Sequence, residues 1–89
     1  MTGVYLLHFS PPYFHARHYV GYSDDVEARL MLHLAGGGSP LVRSAIRADC
    51  SVVLARVWEG RGRDFERKLK LRKNSPRYCP ICNPRQRFA

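Results

Sequence analysis

The run Gly36-Gly37-Gly38-Ser39-Pro40 is the feature that most limits how this chain can fold. Glycines of this kind end a helix that reaches them, because they take the left-handed turn at its C-terminus without steric cost. Ser39-Pro40 then opens a new helix. The serine side chain can cap free backbone N–H groups, and a proline fits the first helical turn, where its missing N–H is not needed. The middle of the chain is therefore predicted as two short helices. The first is capped by Ser23 or Asp24, and Asp24 with Glu27 has the spacing of a capping box. Val26, Leu30 and Leu34 fall on one face, and Arg29 and His33, four apart, share a neighbouring face. The second helix is expected over 41–48.

Strand patterns stand on either side. Over residues 3–9, Val4, Leu6 and His8 alternate with Tyr5, Leu7 and Phe9, and Ser10-Pro11-Pro12 interrupts the pattern. Residues 17–21 are aromatic and β-branched, which predicts a second strand and a hairpin with a long loop of prolines and histidines. The near-continuous apolar run over 51–58 predicts a buried central strand. Gly60 and Gly62 frame a turn into a basic helix over 63–73, with Phe65 and Leu69 facing inward. Trp58, Phe65 and Phe88 read as packing aromatics. Residues 74–89 hold three prolines and are expected to be an irregular tail. The order β-β-α-α-β-α predicts an α+β fold, a small three-stranded antiparallel sheet flanked by helices. Eighty-nine residues suffice for one domain with one small core, over 1–89.

Charge is distributed unevenly. Residues 1–60 carry five basic and five acidic side chains, so the whole formal net charge of +8 lies in 61–89. A localised cationic end is the electrostatic footprint of a phosphate-polymer partner. No apolar run approaches the roughly 20 residues of a membrane helix. The first nine residues have no basic leader or cleavage site, so no secretory signal is expected. Three cysteines are an odd count without a disulfide framework, which points to a reducing cytoplasm.

Two tripeptides carry the functional reading: Gly3-Val4-Tyr5 at the start of the first strand and Tyr19-Val20-Gly21 at the end of the second. They are followed by a helix with Arg29 and His33, an apolar strand, a helix with Glu66, and a late Asn83. This order resembles the GIY-YIG nuclease superfamily over nearly the whole chain, from Gly3 to Asn83. The stretch between Tyr5 and Tyr19 is longer than in many members and holds His15 and His18.

The resemblance implies a metal-dependent endonuclease acting on DNA in repair, recombination or mobile-element processing. It implies catalytic roles for Tyr5, Tyr19, Arg29, His33 and Glu66, with Glu66 holding Mg²⁺ or Mn²⁺. Such a cation keeps most of its waters and takes one or two carboxylates, and it stabilises charge on the phosphate and leaving oxygens. Arg29 offers a planar donor fork matched to phosphate. Tyr5 or Tyr19 would position the attacking water, and His33, an imidazole whose ordinary titration range is near neutrality, would assist. Arg63, Arg67, Lys70, Lys73 and Arg77 would bind the DNA backbone, and Asn83 is a further candidate that is equally a turn former. Without a separate DNA-reading domain, specificity is expected from the tail, a homodimer or a partner protein.

Two alternatives stay open. Glu66 has Lys70 one turn on and can simply pair with it. Cys79-Pro80-Ile81-Cys82 can be half of a zinc site, and His15 and His18 could be the other half by ligand type. The spacing is unusual for a zinc finger, so both cysteines are expected to pack the tail, with no zinc needed for folding. The corresponding second function is a non-catalytic or zinc-stapled nucleic-acid-binding module.

Overall fold

The computed structural model describes residues 1–73 and 75–84. Arg85, Arg87 and Phe88, part of the basic tail, lie outside the described residues. Strands β1 (Gly3–Tyr13), β2 (Ala16–Ser23) and β3 (Ser51–Glu59) form one antiparallel sheet in the order β2-β1-β3. Helices α1 (Val26–Leu34) and α2 (Pro40–Arg47) lie between β2 and β3 in the chain. Helix α3 (Arg63–Arg72) and a single helical turn, α4 (Ser75–Tyr78), follow β3. The architecture is the predicted α+β fold.

The central strand is β1, not the predicted run over 51–58. Val4, Tyr5, Leu6, Leu7 and Phe9 are all buried, as a strand covered on both faces requires. The run over 51–58 forms β3 at the sheet edge, where Val53 and Leu54 remain exposed. Two apolar runs of similar character competed for the centre. The hairpin decides between them, since β1 offers its other edge to β3.

The hairpin is also tighter than expected. Pairing continues beyond an irregularity to Tyr13↔Ala16, so Phe14 and His15 form the turn instead of a long loop. Pro11 and Pro12, which cannot donate to a ladder, sit in the irregular stretch past the last β3 pair, Ser10↔Ser51.

The two sheet faces have different covers. Tyr5, Leu7 and Phe9 pack with Val26 of α1 and with Val42 and Ala45 of α2. On the other face Trp58, paired with Val4, meets Phe65 of α3 and Tyr78 of α4, at ring distances of 5.6 and 6.3 Å. The inward stripe of α1 is Val26, Leu30 and His33. Leu34, predicted on the core face, is exposed because the helix ends there.

Capping at α1 shifts by one residue from the prediction. Asp25, not Ser23 or Asp24, accepts from the Ala28 N–H at 3.2 Å. Glu27 pairs instead with the Met1 ammonium at 2.9 Å. At the other end, Gly37 N–H donates to Leu32 O and Gly36 N–H to His33 O, the pair of hydrogen bonds of a Schellman termination. Ser39 then caps α2 through the Leu41 N–H, with Pro40 in the first turn. Among the described residues no helix is long and apolar enough to cross a membrane.

Candidate functional site

Tyr5 lies opposite Gly21 and Leu7 opposite Tyr19 in the β1–β2 ladder. Cross-strand partners share a face, so both tyrosines project toward α1. Their rings are 6.2 Å apart, and His33 of α1 meets both, at 5.8 Å from Tyr5 and 5.3 Å from Tyr19. Gly21 makes this possible. A Cβ there would collide with the Tyr5 hydroxyl and lie 2.5 Å from its Cζ. Gly38 plays the same part behind His33, since a Cβ there would run into the imidazole Nδ1.

The tautomer of His33 follows from its neighbours. Ser39 N–H can only donate, and it points at Nδ1 at 3.3 Å. Burial, reinforced by the Arg29 charge, lowers the His33 pKa, so the ring is neutral. The proton then sits on Nε2 and is donated to Tyr5 Oη at 2.8 Å. Such a donation favours a phenolate, but burial dominates and pushes Tyr5 up to about 12. The neighbouring charges act in opposite senses: Arg29 pulls Tyr5 down and Glu66 pushes it up. The phenol therefore stays protonated at neutral pH, and neutralising the Glu66 charge moves it back toward the ordinary range.

Glu66 approaches from α3. Its carboxylate pairs with Lys70 at 3.2 Å and its side chain is only 15% exposed. The same Lys70 ammonium stands 5.8 Å from the Tyr19 ring. Tyr5, Tyr19, Arg29, His33 and Glu66 are thus brought together from four elements. The ion pair with Lys70, the plainer of the two readings of Glu66, is present as well. Asn83 stands elsewhere, in the turn holding the cysteines, where its N–H donates to Cys79 O at 2.8 Å.

The cationic residues Arg63, Arg67, Lys70, Lys73 and Arg77 are all exposed. Arg63 lies over the Tyr22 ring at 5.0 Å. A cleft of about 570 Å³ at the start of α3 is lined by Arg61, Arg63 and Lys68, and one of about 240 Å³ beside Tyr19 by Lys70 and Lys73.

A second cluster lies on the other sheet face. The register that sets Gly21 against Tyr5 also sets His18 against His8. Cys79 and Cys82 meet this pair, and the ligand atoms of all four residues lie within 4.8 Å of one another. The group could hold a metal ion, and its nitrogen and sulfur donors suit zinc, not Mg²⁺. This revises the expectation that the cysteines merely pack the tail. It also replaces His15, which is exposed in the hairpin turn, by His8 as partner of His18. Burial, the cost of a second positive charge beside His8, and the Arg17 charge lower His18 to about 4, and burial and Arg17 lower His8, so both rings are neutral.

Gly21→Ala is expected to destabilise the protein by about 1–3 kcal/mol, since the ring it strikes is pinned by His33. Denaturant unfolding measures this. A variant as stable as the parent would mean that Tyr5 does not lie over Gly21.

No family model, curated protein or solved structure matches this chain.

Proposed function

We propose that the protein is a metal-dependent endonuclease that hydrolyses DNA phosphodiester bonds. The observation that carries this reading is the convergence of Tyr5, Tyr19, Arg29, His33 and Glu66 beside a cationic helix. The resemblance to GIY-YIG nucleases names the same five residues.

Glu66 fits a hard cation. It is one carboxylate in a half-buried position, and such a donor suits Mg²⁺ or Mn²⁺ that retains its waters. Bound there, the ion would supply charge stabilisation at the phosphate. The chain's own residues do the rest. Arg29 is exposed and presents its fork to the phosphoryl oxygens. Tyr19 retains exposed surface whereas Tyr5 is 1% exposed, so Tyr19 stands on the substrate side and orients the attacking water. Tyr5 stands behind it as a positioning residue, held by the His33 Nε2–H. Lys70 and Lys73 line the cleft next to Tyr19 and attract the backbone, with Arg63, Arg67 and Arg77 extending the basic surface. Specificity would come from a second copy or a partner protein. Three free cysteines suit a reducing cytoplasm.

The Glu66–Lys70 ion pair favours a second reading, a nucleic-acid-binding module in which Glu66 only balances Lys70. A panel of supercoiled, linear, flap and junction DNA separates the two. The nuclease is expected to bind in a salt-sensitive manner and to cut at least one substrate when Mg²⁺ is added. Binding without cutting on every substrate would support the module instead.

A further inference from the structure

We propose that His8, His18, Cys79 and Cys82 form a structural zinc site that ties the segment after α3 to the β1–β2 hairpin. The geometry carries the argument. His8 Nδ1 and His18 Nε2 are 3.3 Å apart. Cys79 Sγ is 3.5 Å from His8 Nδ1, and Cys82 Sγ is 3.6 Å from His8 Nδ1 and 3.4 Å from His18 Nε2. A tetrahedral zinc with nitrogen at about 2.0–2.1 Å and sulfur at about 2.3 Å has edges of about 3.3–3.4 Å between nitrogens and about 3.5–3.6 Å between nitrogen and sulfur. The four separations fall on those edges or within about 0.1 Å of them.

Hydrogen bonding does not explain the same arrangement. His8 Nδ1 has three polar neighbours, yet a ring nitrogen offers either one proton or one lone pair. Cys82 can donate its S–H to one imidazole and accept only weakly from the other. Four donors crowded around one point are resolved by a cation at that point. Zn²⁺ displaces two thiol protons to solvent, and the two thiolates then cancel its charge, so the buried site is neutral. The next shell agrees. Coordination through His18 Nε2 requires the proton on Nδ1, and Ser75 Oγ accepts it at 3.1 Å. The Cys79–Cys82 turn is closed by the Asn83 N–H bond to Cys79 O, which holds the two sulfurs on one side.

The position gives the site its role. His18 precedes Tyr19 on β2, and the cysteines follow the helix that carries Glu66. The metal therefore fixes β2 against the end of α3 and adds a tie to a domain whose single core is small. The site stands whether or not the protein cuts DNA.

Elemental analysis of the full chain, purified without a polyhistidine tag, tests this directly. About one zinc per chain is expected, lost in Cys82→Ser and in His8→Ala but retained in His15→Ala and Glu66→Gln. Chelation should lower the melting temperature by more than about 10 °C, reversed by added Zn²⁺. Where a variant fails to fold, Co²⁺ titration of the metal-depleted parent replaces it. Thiolate charge-transfer and intense visible tetrahedral bands are expected, bleached by Zn²⁺. A metal-free parent that melts unchanged in chelator and gives no thiolate–cobalt band would overturn the proposal.

Discussion

Glu66→Gln is expected to cut DNA at least about 10²–10³-fold more slowly than the parent in Mg²⁺, while binding DNA as tightly or more tightly. The amide keeps the size of the side chain and one oxygen, but it no longer attracts a dication. It also removes the partner that holds Lys70 at 3.2 Å, which frees that ammonium for phosphate. Affinity and rate should therefore move in opposite directions. A lost structural contact would lower both. Binding must be measured in Mg²⁺-free buffer, because a chelator would also strip the His/Cys site. If Glu66→Gln cuts as fast as the parent, Glu66 is only the partner of Lys70.

Arg29→Ala should lower single-turnover cleavage by about 10²-fold or more, the usual cost of removing one donor to a developing charge. Its effect on stability should stay within about 0.5 kcal/mol, since Arg29 is exposed. The Arg29 charge is the one that pulls Tyr5 down against burial, so its loss leaves that phenol further from ionising. Arg29→Lys restores the charge without the planar fork and should recover only part of the rate. Cleavage by Arg29→Ala within about twofold of the parent would remove Arg29 from the phosphate site.

Much of this arrangement was legible in local chemistry. Gly36-Gly37-Gly38 and Ser39-Pro40 produced the helix break and the cap they predict, because both act within a few residues. The spacing of Arg29 and His33 set both beside Tyr5, as one turn of helix requires. Long-range competition was not legible. The near-continuous run over 51–58 read as the central strand and the alternating run over 3–9 only as half of a hairpin, and only the pairing of β3 on the free edge of β1 makes β1 the centre.

The His/Cys cluster was hidden for a related reason. Treating residues 10–16 as a long loop made His15-x-x-His18 look like the ligand pair. The pair that meets the cysteines is cross-strand, three positions along from Tyr5 and Gly21. Pairing those two motifs by the close approach of ring to glycine gives His8 opposite His18 with no further assumption. The orienting bond from Ser39 N–H to His33 Nδ1 left no trace in side-chain identity, because it is made by the backbone.

Mg²⁺-dependent chemistry at Glu66 is decided by the Mg²⁺ dependence of cleavage by zinc-loaded parent protein, with metal content verified before and after. With zinc alone no cutting is expected, the rate should rise and saturate as Mg²⁺ is added, and Glu66→Gln should show no such rise. Cutting that is complete without Mg²⁺ would move the chemistry to the His/Cys site, and a parent that cuts no DNA at any Mg²⁺ or Mn²⁺ concentration would contradict the nuclease.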